Sequence, residues 1–173
     1  LAKSLKDVDI DRIIASPLKR TLMTAQAVAD LKHLTVESDV RILETNHGLW
    51  EGKHKDVIAK TWPHIYKKWQ KFPSSVQFPG GEHFLETQKR VRAWWQEIIE
   101  HNTQHTVIVT HFNIIQILTA LVLNMKLNKI WRFNLQPTSV TCIDVIDGKA
   151  TLKYLNNAAH VQDLQSNLAQ HAL

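Results

Sequence analysis

Thr106-Val-Ile-Val-Thr-His-Phe-Asn-Ile-Ile115 is the stretch from which the rest of the chain can be read. Thr106 to Val109 are all β-branched and uncharged, which predicts a strand buried on both faces. From Asn113 onward, Ile114, Ile117, Leu118, Leu121, Val122 and Met125 recur at helical spacing. His111 therefore stands at the carboxyl end of a strand, just before a helix. In α/β proteins ligands bind there, because strand ends open onto a crevice and a helix N-terminus offers free N–H donors. A histidine so placed can touch an anion while the amides of Phe112 and Asn113 point the same way. It can equally do no more than cap the helix, and position alone does not separate the two.

Outward from this point the chain alternates. Arg12-Ile-Ile-Ala15 predicts a short buried strand, and Ser16-Pro17 a helix start, with serine as N-cap and proline at the first helical position. Leu18, Leu22, Ala25, Val28, Ala29 and Leu31 give that helix its apolar face, and Val36 to Val40 reads as an edge strand. Helical pieces are expected over Asp56–Thr61 and His64–Lys71, separated by Pro63, with Pro79-Gly80-Gly81 closing the segment. A long helix follows over Phe84–Glu100, burying Phe84, Val91, Trp94, Trp95, Ile98 and Ile99. Val140–Ile146 and Ala150–Leu155 read as strands joined at Asp147-Gly148, a strong hairpin signal. The order predicts an α/β fold with a mostly parallel sheet. Residues 1–173 read as one domain with a partly helical insertion at about 46–81. The start at Leu1, inside an apparently helical run, reads as a truncation.

A composition of 44% hydrophobic and 21% charged residues argues against disorder. No apolar run is long enough for a membrane span, so no membrane partner is expected. The single cysteine, Cys142, can form no internal disulfide and fits a reducing cytoplasm. A net charge of +5 favours anionic partners. Much of that excess lies in one segment, where Lys53, Lys55, Lys60, Lys67, Lys68 and Lys71 interleave with Trp62, Tyr66 and Trp69. Such a pattern can track a nucleic-acid strand, but an apolar helix face with lysines outside explains it as well, and no nucleic acid is expected. Despite ten histidines there is no zinc-type Cys/His spacing, and His101 and His105 bracket polar residues and read as surface. No metal and no cofactor are expected.

Arg20 lies one turn into the helix after the Arg12–Ala15 strand, where a planar guanidinium suits a phosphate. It can also be an ordinary solvated charge. Glu44 sits in Leu43-Glu-Thr-Asn-His-Gly-Leu-Trp-Glu-Gly52. A carboxyl near an apolar wall can have a raised pKa and serve as general acid, although an exposed or capping carboxylate would fit the same stretch.

Together these pieces are sharper than any one alone. Ser16-Pro-Leu-Lys-Arg20 followed by Thr24-Ala25 resembles a phosphate-binding motif of the histidine phosphatase (phosphoglycerate mutase-like) superfamily. Leu43-Glu44 with His47-Gly48 and Trp50-Glu51-Gly52 is similar to its acid motif, and Pro79-Gly-Gly-Glu82 with Arg90-Val91 to its connecting segment. Val109-Thr110-His111 resembles its second-histidine motif, and Thr138-Ser139-Val140-Thr141 the strand that follows. The motifs occur in the family's order along nearly the whole chain. The resemblance implies a three-layer α/β/α sandwich around a mostly parallel mixed sheet, and phosphoryl transfer through a phosphohistidine without metal. Arg20 would then hold phosphate with His111 and the Phe112 amide, and Glu44 would protonate the leaving oxygen.

The chain departs from the pattern at its most important point. The family's nucleophile lies in an Arg-His-Gly motif after a first, central strand, and no Arg-His-Gly occurs here. That strand is expected upstream of Leu1, and without it the sheet should split and activity should be lost. Phe112 stands where a glycine is common, and His47 where Phe or Tyr is usual. The modest insertion favours a phosphatase over a mutase, and Tyr154-Leu155-Asn156 is similar to α-ribazole phosphatases of cobalamin biosynthesis. A broad-specificity phosphatase, a phosphoglycerate mutase and a non-catalytic phosphate-binding domain stay open as alternatives. The expected partner is a small phosphorylated substrate, with a homodimer left open.

Overall fold

A computed structural model of the chain describes residues 1–101 and 105–164. Strand β1 (Arg12–Ala15) lies between β2 (Val36–Ser38) and β3 (Thr106–Val109), parallel to both. Ile14 faces Glu37 on one side and Ile108 on the other. Because a strand alternates its side chains, β1 feeds two cores. Ile13 and Ala15 pack with Ala25, Val28 and Ala29 of α1 (Lys19–Lys32). Ile14 belongs to the other core, with Val91 and Trp94 of α4 (Phe84–His101) and Ile114 and Ile117 of α5 (Phe112–Val122). Helices therefore cover both faces of the sheet. Each buried isoleucine contributes roughly 1.5–3 kcal/mol. Since the strands are parallel, Ser16 after β1 and His111 after β3 emerge at the same edge.

The insertion forms α2 (Lys55–Thr61) and α3 (Pro63–Lys71), with Pro63 in the first turn of the second helix. Its aromatics turn inward. Trp69 meets Phe78 and Phe84 edge-on at 5.0 and 4.8 Å, and Trp50 meets Phe78 at 5.2 Å. Lys60, Lys67, Lys68 and Lys71 are exposed. An aromatic helix face with lysines outside is therefore what the alternating segment encodes.

Some expectations hold and others need correction. The sheet is split, as expected without the family's first strand: β2-β1-β3 is wholly parallel, while β4 (Val140–Ile146) and β5 (Lys149–Asn157) form a separate antiparallel pair. Their turn matches the hairpin signal, since Asp147 and Gly148 both have positive φ, as a type I′ turn requires. Strand β3 is only half-buried along its length, unlike β1, because β3 ends its sheet. Helix α1 begins at Lys19 with Leu18 as N-cap, so Ser16 caps nothing. Strand β2 stops at Ser38, because the Asp39 carboxylate accepts the Arg41 N–H and starts a tight 3-10 turn over Val40–Ile42. Leu31 is exposed rather than part of the apolar face. His105 is exposed as expected, and the side chain of His101 lies outside the described residues. Among the described residues, no helix is long and apolar enough to cross a membrane.

Candidate active site

The site is built where β1 and β3 end. The Ser16 N–H donates to the Val109 carbonyl at 2.9 Å, which extends the pairing of the two strands by one step. Thr21 Oγ1 donates to the Ser16 carbonyl at 2.8 Å and fixes the turn into α1. The Ser16 hydroxyl, freed from capping, lies 2.7 Å from His111 Nε2. His111 is extended and occupies the N-cap position of α5, yet its side chain caps nothing. It is 6% exposed. Burial first, then the charges of Arg20 and Arg90, lower its pKa from the usual 6.5 to about 4. At neutral pH the ring is an uncharged imidazole.

Glu44 follows a loop whose backbone is held from two sides. Arg90 Nη1 donates to the carbonyls of Arg41 and Leu43, both at 2.8 Å. Arg90 Nη2 donates to the Glu44 carbonyl at 3.2 Å and to Glu82 Oε1 at 2.9 Å. Glu82 also accepts from the Asn46 N–H and from Thr87 Oγ1. On the opposite side, Thr110 Oγ1 donates to the Ile42 carbonyl at 2.7 Å, tying the loop to the end of β3. Gly48, at φ +56°, lies against the backbone of Pro79 and Gly81, where any Cβ would collide. The Pro79-Gly-Gly-Glu82 turn is thus the brace of the acid loop.

The Glu44 residue is part-buried, and its carboxyl is closely surrounded by protein. It accepts the Thr45 N–H at 2.8 Å, and Asn113 in the first turn of α5 lies near enough for its backbone amide and side chain to favour the charged form. Desolvation outweighs these donors and the nearby Arg20 charge, and raises the pKa from 4.5 to about 7. A carboxyl poised there can give up a proton at neutral pH and take it back.

Arg20 is exposed near the start of α1, and among the described residues its guanidinium has no hydrogen-bond partner. Its charge acts on both His111 and Glu44. Arg20, Glu44 and His111 are therefore brought together, beside the first turn of α5 that holds the Phe112 amide. A cavity of about 440 Å³ lies apart from them in the insertion, lined by Trp62, Ile65, Lys68, Val76 and Gln77 among others. It is not where the polar groups converge. Arg90, Asn113 and Ser16 were not identified as site residues from sequence. Two of them left a signal: Arg90 is a cation beside the apolar Val91–Trp95 face, and Asn113 an amide in a very apolar helix. Among the described residues, no group of three His, Cys, Asp or Glu side chains could hold a metal ion.

Known proteins resemble this chain in sequence and in fold. The family described as "Histidine phosphatase superfamily (branch 1)" matches residues 1–158. "Phosphoserine phosphatase 1" of Hydrogenobacter thermophilus is 31% identical over 162 residues, covering 93% of this chain and 77% of that protein. "Adenosylcobalamin/alpha-ribazole phosphatase" of Salmonella typhimurium is 26% identical over 156 residues, covering 90% and 77%. Among solved structures, Bacillus stearothermophilus YhfR superposes with a TM-score of 0.85 at 29% identity, covering 93% of this chain and 81% of that one. The alpha-ribazole phosphatase from Shigella flexneri gives 0.78 at 25% identity, covering 90% and 80%.

Proposed function

This chain belongs to branch 1 of the histidine phosphatase superfamily, and from that premise we propose that it hydrolyses a small phosphomonoester through a phosphohistidine. The observation that carries the proposal is the convergence of an unpaired guanidinium, an uncharged imidazole and a carboxyl of pKa about 7. A nucleophilic histidine attacks phosphorus, and the bond from phosphorus to the ester oxygen breaks. Glu44 gives its proton to that oxygen, which leaves as the alcohol. Arg20, His111 and the Phe112 amide hold the equatorial oxygens as their charge grows. Water then attacks the phosphohistidine, Glu44 takes the water's proton, and phosphate departs.

The nucleophile belongs to an Arg-His-Gly segment that these 173 residues do not include. We place it after a strand upstream of Leu1, inserted between β3 and β4. Supporting this are the half-burial of β3, its position at the end of the parallel sheet, and the detachment of β4 and β5 from that sheet. L-Phosphoserine is the first substrate to test, because the phosphoserine phosphatase relative has the higher identity. α-Ribazole 5′-phosphate, favoured by the resemblance at Tyr154-Leu155-Asn156, is the second. Trp69 is buried in the core, which leaves Trp62 and Tyr66 as the insertion's partly exposed aromatics for a base.

The test compares the 173-residue chain with a polypeptide extended upstream through the Arg-His-Gly strand, assayed on both phosphoesters. The extended form should turn over one of them, and acid-quenched protein should carry acid-labile phosphate on histidine. Equal inactivity of both forms on both substrates and on aryl phosphates would favour the non-catalytic, phosphate-binding alternative.

A further inference from the structure

Behind Glu44 lies a second, fully enclosed histidine that the mechanism above does not use. His47 is 4% exposed and packed edge-on against Phe78 at 4.7 Å and Trp69 at 6.1 Å. Its Nε2 lies 3.1 Å from Asn113 Nδ2, and the Asn113 side chain in turn lies near the Glu44 carboxyl and favours its charged form. Asn113 is 1% exposed, and its Oδ1 has no partner among the described residues. The facing of this amide is therefore decided by what its NH2 group meets. We propose that His47 is a positioning residue for the acid: its bare Nε2 obliges Asn113 to present NH2, rather than C=O, to Glu44.

With the amide nitrogen toward the ring, His47 Nε2 accepts and the ring proton sits on Nδ1, so the tautomer and the amide facing stand or fall together. Burial keeps the ring uncharged, moving its pKa to about 4 against the opposing pull of Glu82. Turning the amide over would set Oδ1 against two acceptors, the bare Nε2 and the Glu44 carboxylate. With His47 replaced by phenylalanine only one acceptor opposes the turn. A protonated Glu44 can then donate to Oδ1, and the neutral acid is favoured. The histidine thereby limits how far burial raises the pKa of Glu44. The charged and titratable groups facing this trio are Arg20 on α1, Arg90 on α4, His111 before α5, Glu82 in the brace and Glu51, which accepts the His47 N–H at 3.2 Å, and the variants below leave all five in place.

The inference rests on Glu44 being the acid only for its effect on turnover; the effect on titration stands by itself. The first measurement uses unsubstituted protein: ring 15N shifts of His47 at pH 7 should report Nδ1–H with a bare Nε2. The opposite tautomer, or a charged ring, overturns the proposal even if no variant folds. The second follows the Glu44 carboxyl by 13C NMR in H47F, N113L and the double variant. Each single change should raise the titration by about one pH unit, with the double no further than either alone. An unmoved titration in folded H47F also overturns it. In the extended enzyme, the alkaline limb of the pH–rate profile should move with the carboxyl. If the carboxyl shifts while that limb stays, His47 still positions Glu44, and it is the assignment of Glu44 as the acid that fails.

Discussion

The two sides of the site are held in opposite ways. On the acid side, Arg90 alone ties down three carbonyls and Glu82, Thr110 holds the loop from the sheet, and Asn113 and Thr45 meet the carboxyl itself. On the other side Arg20 is exposed and, among the described residues, has no hydrogen-bond partner. A desolvated carboxyl keeps a shifted pKa only if its surroundings cannot relax around it, so that side is braced. A cation meant for an anion gains from being left unpaired, because a resident carboxylate would compete with the phosphate. On the proposed reading one arginine serves the fold and the other serves a ligand.

The sharpest way to break this contrast is to remove each arginine in turn. Arg20→Ala in the extended enzyme should cost roughly 10²–10³-fold in turnover while leaving the urea midpoint nearly unchanged. A matching fall in stability would mean that Arg20 is a structural cation after all. Arg90→Met should do the reverse in kind, lowering unfolding free energy by about 3 kcal/mol, because several buried acceptors lose one shared donor. Retention of full stability in that variant would remove the brace from the account.

The pH dependence of stability sharpens the same contrast. His47 and His111 titrate near 4 in the folded chain and near 6.5 unfolded, so each contributes stability that is complete above 6.5 and is lost as pH falls toward 4. Glu44, raised from 4.5 to about 7, has the opposite sign: its contribution is complete below 4.5 and is lost as pH rises through 7. Two histidines against one carboxyl leave a net loss of about 3 kcal/mol between pH 7 and pH 4. Urea unfolding across that range should show it, and Glu44→Gln should make the fall steeper. A flat profile would contradict the burial of these three groups. The smallest expected effect concerns chemistry alone. Glu44→Gln should slow alkyl phosphates roughly tenfold more than activated aryl phosphates, whose leaving groups need little protonation. Equal losses would argue that Glu44 is not the acid.

Much of the fold was legible because its signals are local. The β-branched run at Thr106, the helical spacing after Asn113 and the Asp147-Gly148 turn each carry their own periodicity or backbone demand. Where sequence reading failed, a partner distant in the chain had intervened. Ser16 looked like a helix cap, but its hydroxyl meets His111, 95 residues away. Asn113 and His47 are 66 residues apart, and Arg90 reaches carbonyls 46 to 49 residues away. No periodicity announces such pairs. The burial of β3 was overestimated for a related reason: burial on both faces depends on a neighbouring strand as well as on the strand's own residues.

The most direct test of the shared site is a titration of the extended, phosphatase-competent polypeptide with inorganic phosphate, followed by NMR at the Arg20 Nε–H, the His111 ring and the Glu44 carboxyl. The account predicts that all three respond with a single dissociation constant, and that Arg20→Ala weakens binding at the remaining two. Phosphate that moves Arg20 while His111 and Glu44 stay still, or that gives each group a different constant, would contradict a common phosphoryl site.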